Sequence, residues 1–499
     1  MTLSVLFVAA EMLPFAKTGG LGDVVAALPR ALRTLGPDVR VLLPGYPYAK
    51  DQLRSPRTAA DLGDLLELGP ARLLEGTSPD GHTPVWLLDS PTLFERAGGP
   101  YLDEHGRLWP DNAQRFAALA HAAARLAFGD LQVGWTPQVV HCHDWHTALL
   151  PLLLKVRPRP RPASVFTIHN LAFQGEFGLD VFDDLGLPDW ANSPGALEFF
   201  GRLNFLKAAV GFADKVTTVS PTYAREIQTS AFGCGLDGML HSRGDAVFGI
   251  LNGIDDESWN PATDPTIAAP YHRGDRSGKQ ACKAALQAEL GLQVDPARPL
   301  LAFSSRLTHQ KMADVVFDCL PAFFQRVPDL QIAVLGRGEG WIEDGFRIRQ
   351  IQFAGRLAVS VGYDEASAHR LIAGSDMLLH GSRFEPCGLT QLYAMVYGTP
   401  PIVTRVGGLA DTVVDATPEA LQAGLATGFV FDPPSHGPMI YAVERAVGLW
   451  RDYRGEWDRL QQAGMAADYS WTRSASAYAD LYRSLLPLTQ ERGSAQRLR

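Results

Sequence analysis

The chain has 499 residues, 46% of them apolar and 20% charged, with a formal net charge of −9. These are globular proportions over a length beyond what one core serves, so two domains are expected. The negative balance argues against nucleic acid or an anionic membrane as partner, and is compatible with a large neutral one such as a polysaccharide.

The opening run, Met1-Thr-Leu-Ser-Val-Leu-Phe-Val-Ala-Ala10, lacks a basic lead-in and a cleavage site and reads as a first strand rather than a signal peptide. No apolar run reaches membrane-spanning length. The five cysteines, Cys142, Cys234, Cys282, Cys319 and Cys387, are scattered and without paired metal spacing. Together these features predict a soluble protein of a reducing cytoplasm. After Glu11 comes the loop MLPFAKTGGLGDVVAALPRAL. Gly19, Gly20 and Gly22 precede an amphipathic run with Val24, Val25, Leu28 and Leu32. A glycine turn opening onto a helix suits a phosphate or diphosphate, and Lys17 would add a mobile cation. The loop has neither the G-x-G-x-x-G nor the Walker spacing.

Apolar runs then recur at 39–43, 84–88, 138–141, 164–168, 215–219 and 247–251, with helical stretches between them. Strand–helix alternation predicts a parallel, doubly wound sheet. Two of these strands end in histidine-bearing turns, His141-Cys-His-Asp-Trp-His146 and Thr167-Ile-His-Asn170. Ligands gather at the carboxyl ends of such strands, which makes His169 a pocket candidate. His141, His143 and His146, with Asp144 nearby, could hold a metal. Spacing fixes no third ligand, so lining a pocket or making structural hydrogen bonds is the preferred reading.

The segment Leu251-Asn-Gly-Ile-Asp255, with Asn260-Pro261 after it, reads as the passage between domains. A charged helix over 276–290 is followed by strand runs at 299–303, 331–335, 348–353, 376–380, 400–403 and 428–431. The expected division is a Rossmann-like domain over 1–250, a second over 251–471, and a helix over 472–487 returning to the first. A disordered tail is expected at 488–499. The stretch Ser304-Ser-Arg-Leu-Thr-His-Gln-Lys311 puts Arg306 and Lys311 at one strand end, where two cations would stabilise a departing diphosphate or simply form a solvated basic loop. Tyr363, at another strand end, could stack on a base or serve packing. In Ser382-Arg-Phe-Glu-Pro-Cys-Gly388, Pro386 bars helix, and Leu389, Leu392 and Met395 then follow at helical spacing. A phosphate would repel Glu385, whereas sugar hydroxyls would donate to it. A second glycine turn, Gly407-Gly408, follows the run at 400–403. Two strand-end turns so close together suggest a ligand that is part sugar and part phosphate, or else an ordinary βαβ unit with incidental glycines. No D-x-D pair is present to hold a metal against a diphosphate, and only one carboxylate is fixed in this pocket, where a glycoside hydrolase needs two.

The motifs KTGGLGDVV, HCHDWH, TIHNLAFQG, LNGIDDESWNP, SRLTHQK, GYDE and FEPCGLTQLYAM follow one another over roughly residues 1–487. In kind and order they resemble those of the bacterial glycogen synthases and plant starch synthases, retaining glucosyltransferases of GT-B architecture. The resemblance implies an α/β fold of two Rossmann-like doubly wound domains facing a central cleft. It implies ADP-glucose as donor, the non-reducing end of an α-1,4-glucan such as glycogen as acceptor, and neither cofactor nor metal. It assigns chemistry to His169, Arg306, Lys311 and Glu385, the main-chain carbonyl of His169 steadying positive charge on the anomeric carbon. It puts Lys17, Gly19 and Gly20 on the diphosphate, Asp144 and Asn170 on the glucose side, and Asn252 at the cleft. Tyr363 would stack on adenine, and Cys387, Gly388, Leu389 and Thr390 would back the sugar. A relative that uses UDP-glucose, or a catalytically weak glucan-binding homologue, are the alternatives. Two departures stand out. Where the family reads QKG, Gln310-Lys311 is followed by Met312, which argues against a strict need for positive φ there. Where the family reads VPSRFEP, this chain has His380-Gly381 before Ser382.

Overall fold

A computed structural model describes residues 2–158, 160–362 and 364–486. The chain forms two compact units. The first comprises the residues up to Thr218, Gly233–Ile250 and the stretch from Trp471 on; the second is Val219–Phe232 with Leu251–Ser470.

The first unit is built on strands β1 (Ser4–Val8), β2 (Asp38–Pro44), β3 (Arg54–Asp64), β4 (Pro70–Thr77), β5 (Pro84–Asp89), β6 (Val139–His143), β7 (Ala163–Ile168), β11 (Lys215–Thr218) and β12 (Val247–Gly249). They lie side by side in the order β12-β11-β7-β6-β1-β2-β5-β4-β3. The first seven places are parallel, and β4 and β3 extend the edge as an antiparallel ribbon. β1 is apolar on both faces, and its Val5, Leu6, Phe7 and Val8 are wholly buried, as a strand covered by helices on either side must be. The β3–β4 ribbon went unread in the sequence because Arg-Ser-Pro-Arg-Thr-Ala-Ala-Asp-Leu-Gly-Asp has no apolar alternation and is mostly exposed. A small sheet of β8 (Glu176–Phe177), β10 (Arg202–Asn204) and β9 (Glu198–Phe199) follows β7. The helix Trp471–Leu485 belongs to this unit, where it packs against the helix Gly20–Thr34 and buries Tyr478 and Tyr482.

The second unit holds β13 (Leu300–Ser304), β14 (Gln331–Gly336), β15 (Leu357–Val361), β16 (Met377–His380), β17 (Pro401–Thr404) and β18 (Phe429–Phe431). All are parallel, in the order β15-β14-β13-β16-β17-β18. One strand expectation fails. Residues 348–353 are the end of the helix Gly340–Gln352 and its cap, and the strand there is β15. Ile348 and Ile351 look like strand residues, yet they are exposed; the buried pair is Ile342 and Phe346, spaced i, i+4 on one helix face. The segment Val219–Phe232, expected with the first domain, is held in the second unit by its polar side chains. Ser220 Oγ donates to Pro386 O at 2.6 Å, Thr222 N and Oγ1 both donate to Asp411 at 2.7 Å, and Glu226 accepts from Gly407 N at 2.9 Å. No helix among the described residues is long and apolar enough to cross a membrane.

Each sheet reverses its winding at one place, between β1 and β6 in the first unit and between β13 and β16 in the second. At such a switch the loops leave in opposite directions and open a crevice at the carboxyl ends of the strands. Glu11 and Asp144 follow β1 and β6; the loop of Arg306 and Lys311 follows β13, and the turn of Glu385 follows β16.

Candidate active site

In the second unit the two switch-point loops are bound to each other. Lys311 is ion-paired with Glu385, both side chains being largely buried. Arg306 Nη2 donates to Gln310 Oε1 at 2.8 Å, and Gln310 Nε2 donates to Phe384 O at 3.2 Å. Arg383 N donates to Gln310 O at 2.9 Å, and its guanidinium pairs with Asp314 at 2.8 Å. Ser382 Oγ donates to Glu385 Oε2 at 3.0 Å, and His380 Nε2 lies 3.3 Å from the same oxygen. Burial alone would raise the Glu385 carboxyl; the Lys311 ammonium, with His380, instead holds it well below the usual carboxylate range. It is an anion at any working pH, an acceptor for sugar hydroxyls and no proton donor.

The next residues pack behind this pair. Cys387 is buried, its thiol pushed up to about 12 by burial, and takes the backbone N–H of Asn252. Gly388 has φ +75°, and a Cβ there would meet Gln391 Oε1 at 2.5 Å, so any other residue is strained and must displace the Gln391 amide. Leu389 caps the helix Thr390–Val396, and Gln391 Nε2 donates back to the carbonyls of Cys387 and Gly388. Four buried polar atoms on these same segments have no partner: Asn252 Oδ1, Thr308 Oγ1, His380 Nδ1 and Gln391 Oε1. Orphans gathered at one strand-end crevice mark a place built for a polar ligand. The Tyr363 expectation lies outside the described residues.

Met312 corrects the sequence reading. It caps the helix Ala313–Arg326 at φ +54°, the left-handed conformation, and is fully buried. Positive φ is therefore required at this turn, and methionine bears its cost. The second glycine turn is also spent internally: Gly407 N donates to the Glu226 carboxylate, and Gly408 N to Glu385 O at 3.1 Å.

In the first unit the helix begins at Gly20, so Gly22 lies inside it. The turn before it already holds an anion. Glu11, buried, accepts from Thr18 N at 2.6 Å, Thr18 Oγ1 at 2.5 Å, Gly19 N at 3.2 Å and Tyr101 Oη at 2.5 Å. Lys17 pairs with Asp23 at 2.7 Å and is part exposed. Asp144, at φ +55°, accepts the backbone N–H of His169 at 2.7 Å and that of Asn170. Burial nevertheless lifts its carboxyl to about 7. His169 Nε2 lies 3.0 Å from His143 Nδ1, and burial lowers His169 to about 3, so the imidazole is neutral. His141 is no metal ligand: its ring nitrogens bond Tyr482 Oη at 2.7 Å and Thr167 Oγ1 at 2.6 Å. His146 is stacked on Tyr101 and packs at a tilt against Trp145. Among the described residues, no group of three His, Cys, Asp or Glu side chains could hold a metal ion. Glu11, Tyr101, Ser382 and Glu226 were missed in the sequence. The signal that could have found Glu11 is a carboxylate closing an all-apolar first strand, just ahead of a glycine turn.

Comparison with known proteins bears on this arrangement. Residues 4–242 match the family described as starch synthase catalytic domain, and residues 291–454 match glycosyl transferases group 1. A glycogen synthase of Burkholderia thailandensis is 53% identical over 97% of this chain and 90% of its own. One of Paramagnetospirillum magneticum is 49% identical over 97% of this chain and 98% of its own. The solved catalytic domain of starch synthase IV from Arabidopsis thaliana, bound to ADP and acarbose, is 34% identical with a TM-score of 0.86, covering 97% of this chain and 99% of that one.

Proposed function

We propose that this chain, which belongs to the glycogen synthase and starch synthase family of glycosyltransferases, transfers glucose from ADP-glucose to the non-reducing end of an α-1,4-glucan, with retention, in the cytoplasm. Glycogen synthase activity and the GT-B class of two Rossmann-like units are the family's. The finer reading is carried by one observation: at the switch point of the second unit Lys311 and Glu385 form a buried ammonium–carboxylate pair, and on the same loop the guanidinium of Arg306 donates to Gln310, the residue before Lys311. That combination suits a ligand with hydroxyls at one end and a diphosphate at the other.

The chemistry follows from the charges. As the glycosidic C–O bond of the donor breaks, negative charge builds on the departing diphosphate, and Arg306 and Lys311 stabilise it. Glu385 accepts a glucosyl hydroxyl and orients the ring, with Cys387, Gly388, Leu389 and Thr390 behind it and Asn252 beside Cys387. In the first unit, the main-chain carbonyl of His169 faces the positive charge that develops on the anomeric carbon. The neutral imidazole of His169, with Asp144 and Asn170, binds glucose hydroxyls. Lys17 and Gly20 serve the diphosphate. Gly19 shapes the turn, because its N–H is already given to Glu11. Tyr363 retains its proposed place on the base. Support for ADP as the nucleotide comes from the starch synthase that binds it.

Glycogen elongation measured with ADP-glucose and with UDP-glucose tests the reading. Incorporation from ADP-glucose should exceed that from UDP-glucose by tenfold or more, on the order of 1.4 kcal/mol. Equal use of both donors, or preference for UDP-glucose, refutes it.

A further inference from the structure

The imidazole of His380 takes no part in the chemistry above, yet it touches the carboxylate on which the sugar depends. His380 is the last residue of β16 and only 2% exposed. Its Nε2 lies 3.3 Å from Glu385 Oε2, the oxygen that also receives Ser382 Oγ and Lys311 Nζ. Burial and the Lys311 ammonium lower the affinity of His380 for a second proton more than Glu385 raises it, so the ring is neutral. A neutral imidazole has one N–H, and beside an anion that hydrogen belongs on Nε2. The other nitrogen, Nδ1, is then a bare lone pair, and it is buried without a partner.

We infer that His380 is a positioning residue for Glu385: its Nε2–H, with Ser382 and Lys311, pins Oε2 and so presents Oε1 to the glucosyl hydroxyl of the donor. This rests on the reading that Glu385 binds the sugar. The geometry explains why three donors are used. Lys311 is a flexible chain ending in a point charge and can follow a carboxylate through rotation about its last bond. His380, on the rigid end of β16, and Ser382, whose backbone N–H and carbonyl are both bonded to Thr404 Oγ1, cannot follow, so they fix the plane of the carboxylate. The contact is long for an N–H···O bond, the slack expected before a ligand draws the site together.

The consequence is selective. A residue that merely fills space would affect every ligand of the unit alike. A residue that orients Oε1 affects only ligands that carry the glucosyl group. Calorimetry on the full chain, with ADP and with ADP-glucose in the absence of glucan, separates the two. For His380→Leu, the Kd for ADP-glucose should rise about tenfold, while that for ADP stays within about twofold. For His380→Gln, whose amide nitrogen reaches the place of Nε2, the ADP-glucose Kd should return to within about threefold of the parent. Equal weakening of both ligands, no weakening of either, or a Gln variant no better than the Leu variant overturns the inference. Glu385→Gln distinguishes the two levels. If it leaves ADP-glucose binding intact, the reading of Glu385 falls. If it weakens ADP-glucose while His380→Leu does not, only the role of His380 falls. Should His380→Leu fail to fold, ¹⁵N spectra of the parent's histidines decide. One imidazole in the Nε2–H form, absent from His380→Gln, should shift with ADP-glucose and not with ADP; a shift with ADP alone refutes the assignment.

Discussion

Replacing Met312 by glycine sets two opposed effects against each other. The backbone at φ +54° is strained for any residue with a Cβ, by about 1–2 kcal/mol, and glycine removes that strain. Part of the gain, about 0.5–1 kcal/mol, is lost again because glycine has more freedom to lose on folding. Against this stands a side chain that is 0% exposed and belongs to the core around Phe303, Leu379 and Met439. Truncating a buried methionine costs about 2–5 kcal/mol. Taking about 3 for the truncation and about 1 for the net backbone gain, Met312→Gly should destabilise the second unit by about 2 kcal/mol. For a unit of this size that is a fall of about 4–8 °C in its unfolding transition, read by calorimetry. An unchanged or higher transition would mean that strain outweighs packing and refute the reasoning. The sequence offers a partner for the test. A Cβ added at Gly381 would lie 3.4 Å from Met312 Cβ and Sδ and 3.1 Å from Met439 Cε. The departures at 312 and 381 are therefore in contact, and a larger side chain at one meets a glycine at the other. Gly381→Ala should cost less stability in the Met312→Gly background than alone, with a coupling of about 0.5–1 kcal/mol; additivity within about 0.3 kcal/mol would deny the exchange of volume.

Lys311→Ala should lower kcat on the order of 10²-fold, since it removes a charge felt most strongly as the diphosphate departs; a loss under tenfold would contradict its role. Turnover should be unchanged by a chelator, because cationic side chains neutralise that diphosphate, and activity lost in EDTA and restored by a divalent ion would contradict this. Asp144, with a folded pKa raised to about 7, is most stabilising while protonated, below about pH 4, and loses that contribution as pH rises through 7. The unfolding midpoint of Asp144→Asn should accordingly gain on that of the parent between pH 4 and pH 7, and a constant gap would contradict the raised pKa.

The central parallel strands were legible because they are buried on both faces and written in nearly unbroken apolar residues, as Val39-Arg-Val-Leu-Leu43 and Pro299-Leu-Leu-Ala-Phe303 are, whereas β15, a half-exposed edge strand, was not. The β3–β4 ribbon was not, since an exposed edge has no reason to be apolar, and its register is broken by three shifts that no alternation would survive. Ile348 and Ile351 misled for the opposite reason: apolar residues left in solvent carry no periodicity worth reading. Within the candidate site, strand-end position was enough to place Arg306, Lys311 and Glu385 together. What position could not give was which partner each would take. Nothing in Ser382-Arg-Phe-Glu says that Lys311 and His380 meet on one oxygen of Glu385, nor that Met312 adopts a conformation its side chain disfavours.

The glycine turns show where such inference stops, and they can be tested. A turn with free amides at a helix start attracts an anion, but sequence does not say whether that anion is a ligand or a carboxylate of the same chain. Here Glu11 fills the first turn and Glu226 the second. Glu11→Gln should be mild, about 1–2 kcal/mol: its amide oxygen can take the Thr18 and Gly19 N–H groups, and its NH2 can turn to Thr18 and Tyr101, whose hydroxyls are able to accept. Glu11→Ala should cost more, about 3 kcal/mol, because four donors lose their acceptor at once. It should also uncover the anion site. Sulfate at millimolar concentration should raise the unfolding midpoint of Glu11→Ala by several degrees more than that of the parent, by binding the vacated amides in the folded state alone. If sulfate stabilises parent and variant equally, those amides are no anion site, and the glycine turn is only a turn.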